Sequence, residues 1–144
     1  MKKIFYVLYK GIPLLMGMIY ISLCGWLVYM RDERIIRVII VPAVTFAGVS
    51  IFRKVYDAPR PYEVCDVKPL IPKDKKGQSF PSRHTVSAFA IAMACLYVNV
   101  WLGVVTLILA VVVASTRVIA RVHFVRDVVA GTAISVIVGI IGFW

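Results

Sequence analysis

Residues 101–144 read WLGVVTLILAVVVASTRVIARVHFVRDVVAGTAISVIVGIIGFW, two apolar runs separated by a short polar segment. Each run has the composition of a helix in hydrocarbon and is a little shorter than the ~20 residues that cross a bilayer core outright. The segment between them, Thr116–Asp127, carries three arginines, a histidine and an aspartate. Because arginine side chains can extend from a helix end to the interface, this pattern predicts two membrane helices joined by a polar turn.

The same pattern extends over the whole chain of 144 residues, which is 61% hydrophobic and 17% charged with a mean hydropathy of +0.89. Only helices and closed barrels satisfy the backbone in lipid, and the alternation typical of barrel strands is absent. A soluble protein would have almost no polar sequence left to cover so many apolar helices. We therefore predict an all-α polytopic membrane helix bundle, a single domain over 1–144. Its helices are expected at about 11–30, 35–53, 83–98, 100–117 and 128–144.

The N-terminus begins Met1-Lys2-Lys3 and continues into an apolar run, as a signal peptide would. The run is long, and no small-residue cleavage site is convincing. We therefore expect a retained first helix in a multi-pass protein of the cell membrane.

The formal net charge is +10. Its cations flank the apolar runs and do not form a stripe along a soluble face. This distribution favours the phospholipid bilayer and a phosphate ligand as partners and argues against nucleic acid.

Three polar stretches lie at the ends of apolar runs. Because successive helices cross the membrane in opposite directions, all three stretches are expected on one membrane face, together with the long loop 54–82. The stretches are Arg53-six residues-Arg60-Pro61, Pro81-Ser82-Arg83-His84, and Thr116-Arg117-five residues-His123-three residues-Asp127.

In order and spacing, these stretches resemble the tripartite signature of the type 2 phosphatidic acid phosphatase family. That signature reads Lys-six-Arg-Pro, Pro-Ser-Gly-His and Ser-Arg-five-His-three-Asp. This chain has Arg53 in place of the lysine, Arg83 in place of the glycine and Thr116 in place of the serine. Familiar members have six helices, and the five expected here correspond to the last five.

The resemblance implies covalent catalysis by His123, whose imidazole would attack phosphorus and form a phosphohistidine. Asp127, four residues later, would share a helical face with His123 and fix its tautomer. Asp127 also fits the N-cap of the last helix, and the two roles are compatible. His84 is expected to be the general acid for the leaving oxygen.

The phosphate is expected to be bound by arginine forks, with the N-terminus of the helix after Ser82 adding backbone donors. Lys54 is the second choice for the position of Arg53. The side chain of Arg83 could bind phosphate or reach lipid headgroups. We expect no metal and no cofactor, because arginines meet the charge that a metal would neutralise. The expected phosphate-binding residues are Arg53, Arg60, Ser82, Arg83, Arg117 and Lys54.

The expected function is membrane-embedded, metal-independent hydrolysis of a lipid phosphate monoester or diphosphate. The resemblance suggests the phosphatidic acid, phosphatidylglycerophosphate or undecaprenyl diphosphate class of substrate. One alternative is a lipid phosphotransferase that uses the same histidine, and another is a catalytically silent lipid-phosphate binding or transport protein. Since bacterial family members mostly face outward, we expect the active site at the extracytoplasmic face.

Overall fold

A computed structural model describes residues 2–65, 67–72 and 75–144, with backbone alone for residues 2 and 3. The described residues contain helices and no strand, which confirms the all-helical prediction. Five helices are long and one is a single turn. They are α1 (Lys2–Tyr29), α2 (Arg34–Tyr56), α3 (Pro61–Val64), α4 (Arg83–Val98), α5 (Val100–Ile119) and α6 (Val125–Phe143).

Four segments are long and apolar enough to cross a membrane: Ile4–Tyr29, Arg34–Val64, Val100–Ile119 and Val125–Phe143. The helix α4 has 16 residues and is shorter than these spans. It packs against α1, α2, α5 and α6 and buries four of its alanines almost completely, so its neighbours and not lipid surround much of it. The outer faces of the bundle expose large apolar side chains, as expected of a multi-pass membrane protein.

Two predicted helix starts were wrong. The helix α1 begins at Lys2 and not at residue 11, because residues 4–10 contain no helix breaker and Tyr9 is buried against the bundle. The helix α6 begins at Val125 and not at 128, so Asp127 lies in its first turn and Phe124 occupies the N-cap.

The loop predicted over 54–82 is also shorter and more ordered than expected. The helix α2 continues to Tyr56, and the loop contains the single turn α3, which starts at Pro61. Proline suits the first position of a helix, because its φ is already helical and the missing N–H has no partner there.

The first turns of α4 and α6 meet at one end of the bundle. The Ser82 N–H donates to the Asp127 carbonyl at 2.9 Å. A Cβ on Gly131 would lie 3.2 Å from the Ser82 carbonyl oxygen, so a side chain there would be crowded and glycine favours this close approach.

At the opposite end, arginines from the start of α2 hold the last turns of α4 and α6. Arg34 donates to the Val98 carbonyl at 3.3 Å, and Arg37 donates to the Phe143 carbonyl at 3.0 Å. These carbonyls belong to helix C-termini, where cations are favoured by the helix dipole. Arg34 also forms an ion pair with Asp32 at 2.6 Å.

Candidate active site

The three polar stretches meet at the end of the bundle where α2 and α5 end and α4 and α6 begin. Arg53 donates to the Pro81 carbonyl, which links the first stretch to the second. Arg60 donates to the Val122 carbonyl at 3.4 Å, which links the first stretch to the third. The prediction that all three lie on one membrane face is confirmed.

His123 and Asp127 form a buried pair. His123 Nδ1 lies 3.5 Å from Asp127 Oδ2, and the two side chains are 3% and 0% exposed. The same oxygen also accepts a hydrogen bond from the Phe124 N–H at 3.0 Å. Because Phe124 is the N-cap of α6, this bond helps to cap the helix. With the Nδ1 proton facing the carboxylate, the Nε2 atom of His123 carries the lone pair.

The surroundings of His123 favour its neutral form. The pKa of His123 is lowered to about 4, chiefly by burial and also by the positive charges of Arg60 and Arg53, whereas the contact with Asp127 opposes this shift. Because an ordinary histidine titrates near ~6.5, this ring is neutral at neutral pH. A neutral imidazole is the form that can attack phosphorus.

Ser79 completes the surroundings of this pair, and the sequence analysis missed it. Its hydroxyl donates to Asp127 Oδ2 and lies 3.4 Å from His123 Nδ1. Ser79 is fully buried, and its N–H donates to the Ala58 carbonyl at 2.8 Å. The serine precedes the second stretch by two residues and is 48 positions from Asp127, so no local pattern indicates the contact.

Arg53 and Arg60 are held by main-chain carbonyls of the loop before α4. Arg53 donates to the carbonyls of Gln78, Ser79 and Pro81, with 3.4 Å to Ser79. Arg60 Nε donates to the Gly77 carbonyl at 2.9 Å. The two side chains are therefore fixed before any ligand arrives.

Two exposed carboxylates shape this loop. Asp57 accepts the Gln78 N–H at 3.0 Å, and Glu63 accepts the N–H groups of Arg60 and Gly77 at 2.7 and 2.9 Å. Gly77 has a φ of +63°, and a Cβ there would lie 2.4 Å from Asp57. Glycine is thus required for the turn that presents its carbonyl to Arg60.

Arg117 is held by the part of α1 that was not predicted to be helical. Its guanidinium donates to the Tyr9 carbonyl at 2.9 Å and its Cζ lies 3.8 Å from the centre of the Tyr9 ring. The Nε atom of Arg117 is buried without a hydrogen-bond partner. Tyr9 is therefore a second residue that the sequence analysis missed.

These arginines outnumber the acidic groups buried with them. Arg53, Arg60 and Arg117 are only 2%, 3% and 2% exposed, and Asp127 is the one carboxylate buried among the described residues. Buried charges are costly unless they are paired with opposite charge. The cluster therefore has an excess of positive charge that suits a phosphate dianion.

The second stretch lies at the edge of this cluster. Ser82 is the N-cap of α4, but its hydroxyl accepts from Thr85 Oγ1 at 3.1 Å and caps no backbone N–H. Arg83 and His84 follow in the first turn, where they line a cavity of about 230 Å³ between α1, α2 and α4. Lys54 is exposed at the last turn of α2, so the structure brings Arg53 and not Lys54 into the cluster.

Within the described ranges, no group of three or more His, Cys, Asp or Glu side chains is arranged to hold a metal ion. The two histidines of the chain lie in different stretches, and Asp127 is engaged by Ser79 and Phe124.

The sequence profile of the PAP2 superfamily matches residues 34–144. The undecaprenyl-diphosphatase BcrC of Bacillus subtilis (strain 168) is 34% identical over 89 residues, which are 62% of this chain and 46% of that protein. The chain thus spans about half the length of the curated relative it matches.

Two crystal structures are similar in fold. Aquifex aeolicus LpxE superposes with a TM-score of 0.79 at 28% identity, covering 94% of this chain and 83% of that chain. A transmembrane PAP2 type phosphatidylglycerolphosphate phosphatase from Bacillus subtilis superposes with a TM-score of 0.69, covering 96% and 74%. Because the second structure is only 21% identical in sequence, its similarity to this chain establishes the fold alone.

Proposed function

Because the chain belongs to the PAP2 superfamily, we propose that it removes a phosphoryl group from a lipid phosphate or lipid diphosphate at the membrane surface. The observation that carries the proposal is the buried cluster of three arginines beside a neutral histidine, with one buried carboxylate among the described residues. Guanidinium forks match the equatorial oxygens of a phosphoryl group in transfer, where charge accumulates.

In the first step, His123 Nε2 attacks phosphorus as the bond to the leaving oxygen breaks. His84 donates a proton to that oxygen, and the lipid alcohol or lipid phosphate departs. The phosphorylated ring keeps its Nδ1 proton toward Asp127, which balances the positive charge on the imidazole. In the second step, water attacks the phosphohistidine and gives a proton to His84. Inorganic phosphate leaves and His123 is again neutral.

The substrate is a lipid of the phosphatidic acid, phosphatidylglycerophosphate or undecaprenyl diphosphate class. The sequence similarity to an undecaprenyl-diphosphatase supports the diphosphate member of this class. The mostly apolar cavity next to His84 supports this class as well, since a hydrocarbon chain can enter there from the bilayer.

The test uses purified protein in vesicles with a short-chain phosphatidic acid and a prenyl diphosphate. We expect release of inorganic phosphate that persists in excess EDTA and is inhibited by vanadate. Transfer of phosphate to an added alcohol in preference to water would favour the phosphotransferase. Binding of both lipids without any turnover would favour the silent binding protein. A strict requirement for added magnesium would contradict metal independence.

We also propose that the site faces the extracytoplasmic side. Cys65 is exposed next to α3 at the site end, whereas Cys24 and Cys95 lie in membrane-spanning helices. A membrane-impermeant maleimide should therefore label Cys65 in intact cells. Labelling only after lysis would place the site on the cytoplasmic side. The matched control is Cys65→Ser, which should remove the label in both preparations.

A further inference from the structure

The cavity between α1, α2 and α4 has one polar end and one apolar end. Arg83 and His84 form the polar end, at the membrane face that holds the arginine cluster. From there the cavity follows α4 to Ile91, eight residues or about 12 Å along the helix axis. Its apolar lining comes from Pro13, Met16, Phe46, Ala88 and Ile91.

Arg83 differs from the three buried arginines of the site. It is only half-buried, and its guanidinium carbon lies 6.0 Å from the centre of the Phe46 ring. None of the carboxylates in the described part of the chain forms an ion pair with it. Arg83 is nevertheless close enough to Arg53 for the two charges to repel each other, and it also lines the cavity.

We propose that Arg83 binds the inner phosphate of a lipid diphosphate, whose hydrocarbon chain occupies the apolar part of the cavity. This inference rests on the proposed function. The outer phosphate, which His123 attacks, would then lie in the arginine cluster, and the inner phosphate would lie between that cluster and the chain. Because Arg83 and His84 both line this cavity, the leaving group that takes the proton of His84 would also lie within reach of Arg83.

The chemistry of the leaving group explains why a cation is useful at this point. When a monoester is attacked, the leaving oxygen belongs to an alcohol, which departs neutral once it has taken a proton. When a diphosphate is attacked, the bond between the outer phosphorus and the bridging oxygen breaks, and the electron pair stays on a lipid monophosphate. A guanidinium beside that phosphate stabilises the charge that develops there. Arg83 thus becomes a specificity-determining residue for diphosphates.

The experiment compares farnesyl diphosphate with farnesyl phosphate, which share one hydrocarbon chain. Arg83→Gly, which introduces the residue of the family signature, should lower kcat/KM for the diphosphate about tenfold to a hundredfold. Its kcat/KM for the monophosphate should fall by a smaller factor, and a thermal unfolding midpoint equal to that of the wild type shows that the variant is folded. Arg83→Lys should retain part of the preference, because it keeps the charge and loses the fork.

The matched control is Arg121→Gly. Arg121 is exposed at the same end of the bundle and has a φ of +59°, which glycine adopts readily. The substitution removes the same charge from the same membrane face. It should leave the ratio of the two kcat/KM values unchanged.

If Arg83 instead contacts bilayer headgroups, the same experiment gives a different result. Arg83→Gly would then reduce both reactions equally, and the loss would appear in phosphatidylglycerol vesicles and not in phosphatidylcholine vesicles. That result overturns the inference. If the wild-type protein hydrolyses neither lipid, the proposed function is wrong and binding of inorganic pyrophosphate and phosphate decides the inference. A selective loss of pyrophosphate binding in Arg83→Gly supports it, and equal losses overturn it.

Discussion

The two ends of the bundle both use arginines that donate to main-chain carbonyls, but they differ in burial and in charge balance. At the far end, Arg37 donates to the Phe143 carbonyl, and Arg34, whose side chain is 41% exposed, pairs with Asp32. At the site end, Arg53 and Arg117 also donate to carbonyls, yet both are almost fully buried. A contact with a carbonyl is therefore not what distinguishes a functional arginine here.

The difference lies in what balances the charge. The arginines of the far end remain in contact with the interface, where water, headgroups and Asp32 stabilise the guanidinium. At the site end, carbonyl dipoles offset part of the cost of burial but leave net positive charge uncompensated. The arginines of the far end therefore stabilise helix termini, whereas the cluster at the site end is suited to binding an anion.

The largest expected effect is on turnover, which a substitution at the site end should abolish and one at the far end should leave intact. His123→Ala should lower turnover by on the order of ten-thousand-fold or more, because it removes the nucleophile. Phosphoryl label that is acid-labile and base-stable should appear on the wild-type protein and not on this variant. Arg37→Ala should keep turnover and lose at most about 1 kcal/mol of stability, the usual range for one hydrogen bond. Substantial phosphatase activity in His123→Ala would falsify the assignment.

The second effect depends on the leaving group of the substrate. A lipid alcohol needs a proton in order to depart, whereas nitrophenolate departs largely unaided. His84→Ala should therefore lose about a hundredfold to ten-thousandfold on a lipid monoester and much less on p-nitrophenyl phosphate. His123→Ala should lose both reactions alike, which makes it the internal control. Equal losses in His84→Ala would limit His84 to binding the phosphate or supporting the start of α4.

The third effect compares arginine with lysine at both ends. Arg117→Lys should lower kcat/KM about tenfold to a hundredfold, because one ammonium group cannot both hold the Tyr9 carbonyl and bind phosphate as a fork does. Arg34→Lys should leave kcat/KM within about twofold, since Asp32 and the Val98 carbonyl can be reached by either side chain. Similar losses at both positions, measured on protein of equal thermal stability, would show that the comparison between the ends is wrong.

Much of this organisation could be predicted from the sequence because it follows from composition and chain direction. The apolar runs indicate membrane helices, and alternate crossing brings Arg53, His84 and His123 to one face. Motif spacing also predicts that His123 and Asp127 pair, but the shared helical face expected for them was wrong, because His123 precedes the N-cap of α6 and Asp127 lies in its first turn. These inferences need only local sequence and the alternation of helices.

The parts that escaped prediction depend on contacts between distant residues. Ser79 reaches Asp127 across 48 positions, and Tyr9 reaches Arg117 across 108. A single serine or tyrosine carries no periodic signal for such a contact. The N-cap position expected for Asp127 was wrong. The backbone at Phe124 is extended, so Phe124 is the N-cap, and α6 starts at Val125, three residues before the predicted start.

The smallest expected effect concerns Ser79, which we regard as a positioning residue. Ser79→Ala removes one hydrogen bond to Asp127, so kcat should fall about threefold to tenfold. The buried serine Ser135, which donates to the carbonyls of Val86 and Gly131, is the matched control. Ser135→Ala should destabilise the bundle to a similar extent without lowering kcat in the remaining folded protein.

A titration distinguishes positioning from mere stability. The chain has two histidines, so in His84→Gln the imidazole signal in the NMR spectrum belongs to His123 alone. Because burial lowers the pKa of His123 to about 4, the ring should stay neutral as the pH falls through 6 and become protonated only near 4, where the nucleophile is lost. Adding Ser79→Ala should raise this pKa, since the carboxylate then has one donor fewer competing with the ring for its charge, and adding Asp127→Asn should lower it. A midpoint near the ordinary ~6.5 in His84→Gln would mean that the ring is hydrated and that Ser79 does not control its proton.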